Sequence, residues 1–149
     1  MNFPDINVVF SFCVPGHEFE EKSRILLLSG EDFVFSDRGF DVLNLVINRF
    51  LEGLAGDLIE ILLARKEEIK ELLDMCEVAN DDIRKGIMRL ILLEVGIQDL
   101  EDIEILSDAL WIKARRDYAE MIFWTYDEEH ILPQRGLLEL IFGIMVKRP

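Results

Sequence analysis

Positive charge is scarce in this chain: 16 lysines and arginines stand against 30 aspartates and glutamates, a net charge of -14 with histidine neutral. Phosphate-rich surfaces repel such a chain, so attachment to DNA, RNA or anionic lipid by bulk electrostatics is excluded, and neither nucleic acid nor membrane is predicted as a partner. Histidine is scarcer still, with only His17 and His130. A three-histidine zinc centre and the paired Glu-x-x-His motifs of a di-iron bundle both need more. Cys13 and Cys76 are too few for a disulfide framework. Each lies in an apolar run, where a thiol serves as a small buried hydrophobe. No apolar run reaches the roughly 20 residues that cross a bilayer, and Met1 to Asp5 does not open a secretory signal. These absences predict a reducing, cytoplasmic setting.

Phosphate-binding loops are missing as well. Gly53-Leu54-Ala55-Gly56 lacks the Lys and Ser or Thr of a Walker loop, and no Gly-x-Gly-x-x-Gly occurs, so no cofactor is predicted. Thr125 is the only threonine, and Gln98 and Gln134 are the only glutamines. Few amides beside abundant Glu, Ile and Leu match the bias of thermophile proteins.

What is present is a globular composition, 50% hydrophobic and 31% charged. That much apolar surface can offset chain entropy, and the length suits one compact domain over residues 1–149. The first 38 residues read as β-rich. Asn7 to Val14 alternates Val8, Phe10, Phe12 and Val14 on one side and stops at Pro15-Gly16, which predicts a strand. Ile25 to Leu28 and Phe33 to Phe35 flank a Gly-containing turn and predict a hairpin, although Glu18 to Leu28 also fits helical spacing. The expectation is a small antiparallel sheet over about residues 6–36.

From Gly39 onward the apolar period lengthens to about 3.6 residues. Helices are predicted from Asp41 to about Phe50, from Leu58 to about Ala79, and from Ile83 to a stop at Gly96, the last being the most buried because Leu90 to Leu93 is apolar all round. Asp99 opens another helix, which runs to about His130 or divides at Asp117. Gly136 to Val146 is a final apolar segment, read as a core helix or as a surface for homo-oligomerisation. The predicted fold class is α+β, predominantly α, with the small sheet followed by five to six helices.

Two groups of acids are candidate sites. Glu67-Glu68-Ile69-Lys70-Glu71 resembles the Glu-Glu-x-x-Glu half of the metal-binding signature of the all-α nucleoside-triphosphate pyrophosphatases of the MazG type. The resemblance implies Mg²⁺ held by Glu67, Glu68 and Glu71. It spans five residues, and the Glu-x-x-Asp of a following helix is absent. The second group is the run Asp99, Glu101, Asp102, Glu104 and Asp108, with no base until Lys113. On a helix Glu101, Glu104 and Asp108 share one face, which predicts a negative stripe toward solvent that could dock a protein with a basic surface. His130, after Asp127-Glu128-Glu129, reads as a surface histidine capping a helix C-terminus.

The residues thus favour a non-catalytic, acidic protein-interaction module, acting as adaptor, inhibitor or regulatory subunit. The alternatives are a Mg²⁺-dependent phosphohydrolase using the α-helical carboxylates, and a structural protein that oligomerises through its C-terminal segment.

Overall fold

A computed structural model describes all of residues 1–149. The chain mixes helix and strand and is 59% helical, with seven α-helices and small sheets. Five strands, β1 (Asn2–Pro4), β2 (Val34–Ser36), β3 (Asp74–Cys76), β4 (Met121–Trp124) and β5 (Ile144–Lys147), alternate with α1 (Ile6–Cys13), α2 (Glu20–Leu27), α3 (Asp37–Leu51), α4 (Gly56–Leu72), α5 (Ile83–Val95), α6 (Leu100–Arg115) and α7 (Arg135–Phe142).

Every pairing is parallel. β4 lies between β1 and β5, with Phe3 opposite Phe123 and Phe123 opposite Val146, and β2 pairs with β3. A parallel bridge between Asn2 and Phe33 joins the two groups, so the strands run in the order β3, β2, β1, β4, β5. The predicted antiparallel sheet over residues 6–36 is therefore not formed. Parallel strands need long crossovers, and here one or two helices make each of them. Sheets of this kind are covered on both faces, and β1 and β2 are buried at every position.

The physical reasons for the differences are local. Asn7 to Val14 is helical because Asp5 caps it, its Oδ1 accepting from the Ile6 N–H at 2.7 Å, and because its neighbours bury it on several sides. Val8, Val9, Phe12 and Cys13 all face the core, and an all-round apolar helix satisfies a period of two by accident. Glu20–Leu27 adopts the helical alternative. Leu73 ends α4, and the next three residues form β3, so no helix reaches Ala79. α6 closes at Arg115, and Asp117 turns the chain with φ 53°, freeing Met121–Trp124 to become a central strand. Gly143, at φ 62°, stops α7 in the left-handed conformation that favours glycine and redirects the chain into β5. Ile144 and Val146 are buried in the sheet, so residues 136–146 are a helix plus a core strand and not one docking helix. The most buried helix is α6, whose residues from Ile105 to Leu110 are all buried. α5 instead exposes Ile83, Ile87, Leu90 and Leu93.

α1 packs on α3 and α4, and α5 packs on α6. The start of α3 lies hard against α6: a Cβ on Gly39 would come within 2.8 Å of Phe35 and Ser36 and 3.0 Å of Ile105. No helix is long and apolar enough to cross a membrane.

Candidate functional site

In an open parallel sheet, ligands bind beyond the carboxyl ends of the strands at the point where the strand order reverses direction. With β3, β2, β1, β4, β5 across the sheet, that point lies between β1 and β4. Asp5 follows β1 directly, and Thr125, Tyr126 and Asp127 follow β4. The Asp5 N–H donates to the Trp124 carbonyl at 2.8 Å, continuing the ladder just far enough to set the two segments side by side.

Asp5 is 4% exposed and firmly held. Its Oδ1 accepts from the Ile6 N–H, and its Oδ2 accepts from Thr125 Oγ1 at 2.7 Å and from Asn7 Nδ2 at 2.6 Å. Asn7 also reaches Thr125 Oγ1 at 3.1 Å and takes the Tyr126 N–H on its Oδ1 at 3.2 Å. Burial pushes the Asp5 carboxyl up to about 6; the hydrogen bonds from Thr125, Ile6 and Asn7 oppose that rise, and the charge of Asp127 adds to it.

Asp127 forms the next part of the cluster. Its Oδ1 accepts the Glu129 and His130 N–H groups at 2.9 and 2.7 Å, its own N–H donates to Thr125 Oγ1 at 3.0 Å, and its carbonyl accepts from Leu132 at 2.9 Å. The turn over residues 127–130 is thereby built around the side chain of Asp127. Asp102, in the first turn of α6, comes over from the opposite side. Asp99 caps that helix, accepting from the Glu101 and Asp102 N–H groups at 2.8 and 3.3 Å. Burial, followed by the negative charges of Asp127, Asp5 and Asp99, pushes Asp102 up to about 8. Donor atoms of Asp102, Asp127 and His130 all lie within 4.8 Å of one another. No lysine or arginine makes an ion pair with Asp5, Asp102 or Asp127.

A cleft of about 240 Å³ opens beside Asp5 and Asp102, walled by Ile6 and Phe10 of α1, Val42 and Val46 of α3, and Ile105 of α6, with Glu101 at its edge. The α3 wall is apolar and adds no carboxylate. The donors left for a ligand are those of Asp102, Asp127 and His130, with the bound-up Asp5 behind them.

The acids singled out from the sequence lie elsewhere. Glu104 is half-buried and paired with Arg38 and with Arg89 at 2.8 Å. Burial pushes its carboxyl up, but hydrogen bonds and charge from these two arginines outweigh that and hold it below the usual range. Asp108 is 1% exposed and forms an ion pair with the fully buried Lys85. Burial drives both toward neutrality, Asp108 upward and Lys85 downward, against their mutual attraction. Glu101 alone faces solvent. The predicted negative stripe is therefore dismantled within the protein, because α5 and α3 supply three cations to it.

Glu67, Glu68 and Glu71 are exposed on α4, and Glu67 is bridged to Lys70 at 3.2 Å. They do not converge with acids of another helix. Cys13 and Cys76 are free and buried, and burial pushes the Cys13 thiol up to about 12. His17 accepts the Phe19 N–H on Nδ1 at 3.1 Å and sits between Phe10 and Phe19, a structural role.

Sequence reasoning missed Asp5, Asp102 as distinct from its neighbours, and Asp127. A usable signal exists in the repeated pattern of a short apolar run closed by an acid, Phe3-Pro4-Asp5 and Phe123-Trp124-Thr125-Tyr126-Asp127. The chain's single threonine lies in the second of these and bonds the acid of the first.

No protein-family profile and no curated protein matches the sequence. Among solved structures the chain is similar to the crystal structure of VapBC2 from Rickettsia felis bound to a DNA fragment from their promoter, at 13% identity and a TM-score of 0.63, over 99% of this chain and 98% of that one. The expectations of a non-catalytic acidic interaction module and of a chain with no nucleic-acid partner do not stand against that likeness. Those expectations rested on bulk charge, whereas the likeness in fold extends over essentially the whole chain.

Proposed function

We propose that this chain is a metal-dependent nuclease of the PIN-domain type, hydrolysing phosphodiester bonds of a nucleic-acid strand at the β1–β4 switch point. The observation that carries the reading is the approach of Asp102 and Asp127 to metal-sharing distance, with Asp5 close behind them, from three separate parts of the chain and with no lysine or arginine paired to any of them. Three neighbouring carboxylates without a counter-charge are costly to hold together and suit a hard divalent cation. The donor set fits such an ion: two carboxylates with free valence, Asp102 and Asp127, backed by a third that is rigidly oriented.

When bound, the ion supplies Lewis-acid polarisation of a phosphate oxygen and a hydroxide nucleophile near neutral pH. The protein's own groups do the remaining work. Thr125 and Asn7 fix the rotamer of Asp5, so the carboxylate needs no reorganisation when charge arrives. Asp127 spends one oxygen on the turn that holds it and keeps the other available. Burial and the surrounding carboxylates raise the Asp102 carboxyl, and a bound cation would offset those negative charges. Apolar side chains of Ile6, Phe10, Val42, Val46 and Ile105 wall the cleft beside Asp5 and Asp102.

The net charge of -14 remains relevant to substrate binding. With few cations to release counterions from a strand, affinity depends on the bound metal more than on salt-sensitive surface contacts. The test is incubation of the full chain with labelled single-stranded RNA and DNA oligonucleotides, with Mg²⁺ or Mn²⁺ and with chelator. Cleavage that needs the metal and is lost in Asp102→Asn and Asp127→Asn is expected. No cleavage of either polymer by the wild type, or cleavage that persists in Asp127→Asn, overturns the reading.

A further inference from the structure

His130 has no structural duty that accounts for its position. Read from the sequence it caps a helix C-terminus, but no helix ends there: residues 125–130 form the turn between β4 and a 3-10 turn at Leu132–Gln134. Its ring nitrogen lies 3.9 Å from Glu129, beyond hydrogen-bond distance, and its side chain is 45% exposed. What the structure does with this residue is hold its backbone. Asp127 Oδ1 accepts the His130 N–H at 2.7 Å, a three-residue turn that brings the imidazole back over the carboxylate that anchors it. A ring nitrogen thereby joins donor oxygens of Asp102 and Asp127 in one group spanning no more than 4.8 Å.

We infer that His130 is a ligand of this centre, and that the centre selects a first-row transition-metal dication over Mg²⁺. The inference rests on the metal-dependent reading above and adds the identity class of the ion. The chemistry is one of donor type. Mg²⁺ keeps its water and binds through oxygen alone, whereas a neutral imidazole nitrogen raises affinity for Mn²⁺, Fe²⁺, Co²⁺ and Zn²⁺ with little benefit to Mg²⁺. The number of donors points the same way. Both oxygens of Asp5 are occupied by protein hydrogen bonds and α3 contributes only valines, so Asp102, Asp127 and His130 form a three-donor face, with one of its three positions nitrogen. In such a small set the nitrogen decides the preference.

The experiment is titration of the full chain with Mn²⁺ followed by electron paramagnetic resonance, with Mg²⁺ as competitor, on the wild type, His130→Ala and Asp127→Asn, each checked for fold by circular dichroism. Pulsed spectra of wild-type protein with Mn²⁺ bound are expected to show coupling to an imidazole ¹⁴N nucleus, absent from His130→Ala. That substitution is expected to weaken Mn²⁺ binding about tenfold while changing Mg²⁺ competition less than about threefold. Asp127→Asn is expected to lose both ions. Mn²⁺ affinity equal in the wild type and His130→Ala, with no nitrogen coupling and with binding still lost in Asp127→Asn, overturns the role of His130 and leaves the carboxylate site standing. Absence of Mn²⁺ binding to folded wild type at millimolar concentration overturns both.

Discussion

Helix α6 carries two sets of acids that meet opposite fates. Asp102 and Glu104 are two residues apart and so point to opposite sides of the helix, while Glu104 and Asp108 share a side. On the Glu104 side the fold supplies Arg38 from α3 and Lys85 and Arg89 from α5, and the negative charge is compensated within the chain. On the Asp102 side the neighbours are Asp5, Asp99 and Asp127, and nothing positive arrives. An acid on the same helix is thus held in its charged form at Glu104 and pushed out of it at Asp102. Where the chain closes its own charge account, the acid serves the fold; where it leaves the charge open, the acid is available for an external cation. Sites that work against local stability in this way are where function is expected to reside.

The contrast can be broken most forcefully through activity. Asp102→Asn is expected to lower metal-dependent hydrolysis by about 1000-fold with the fold intact, since it removes a donor from a small set. Glu104→Gln is expected to change the rate less than about threefold, because its partners are the protein's own arginines. Steady-state rates on one oligonucleotide substrate at saturating metal decide it; equal losses in the two variants would dissolve the distinction. Stability should show the reverse pattern at the buried pair. Lys85→Met leaves Asp108 buried at 1% exposure without its counter-ion, and a loss of about 3–5 kcal/mol in chemical denaturation is expected. The double variant Lys85→Met with Asp108→Leu should recover most of that, since well-packed apolar replacements cost little.

This division was only half visible in the sequence. Periodicity located α3, α5 and the start of α6, and Gly96 and Asp99 marked an end and a cap that the structure retains. The strands were illegible because each is only three or four residues long, too short for alternation to be told from a turn of helix, and β1 and β2 are buried at every position. Their loss hid the site, which exists only because β1 and β4 are adjacent in space while Asp5 and Asp127 lie more than a hundred residues apart. The acidic run over residues 99–108 was legible as a cluster, but its sorting was not. Which side of α6 meets Arg38, Arg89 and Lys85, and which meets Asp5 and Asp127, depends on how α3, α5 and β4 pack around it. Helical spacing correctly grouped Glu104 with Asp108 and then assigned that side to solvent, since nothing in spacing reveals that Lys85 is fully buried.

Support behind the open site gives the next largest effect. Thr125→Val removes a hydroxyl that donates to Asp5 and accepts from Asn7 and from the Asp127 N–H. Both acids lose a constraint, and metal affinity is expected to fall about 10- to 100-fold in Mn²⁺ titrations, the range for residues that orient ligands without touching the ion. Thr125→Ser, which keeps the hydroxyl, should bind within a few-fold of the wild type. A valine variant with unchanged affinity would mean that Asp5 holds its position without this bond.

The smallest effect is also the one in which the two sides of α6 differ in sign. The Asp102 carboxyl, facing Asp5, Asp99, Asp127 and His130, is raised from 3.8 to about 8, so the folded protein binds that proton more tightly than the unfolded chain. Its contribution is therefore most favourable at low pH and is lost as pH climbs from about 4 to about 8. Asp5, raised from 3.8 to about 6, acts in the same direction over a narrower window. Glu104 is held below its ordinary 4.5, so its contribution is present above that value and is lost as pH falls through its depressed one. Removing each charge in turn at pH 8 without metal should thus give opposite results: Asp102→Asn raises thermal stability, by about 1–2 kcal/mol, while Glu104→Gln lowers it by less than about 1 kcal/mol because that pair is partly solvated. Saturating Mn²⁺ should erase the gain from Asp102→Asn, since only the wild-type carboxylate then draws binding energy from the ion. Destabilisation by both substitutions in metal-free protein would show that the Asp102 side is compensated as fully as the Glu104 side, and with that the physical case for a cation there would fall.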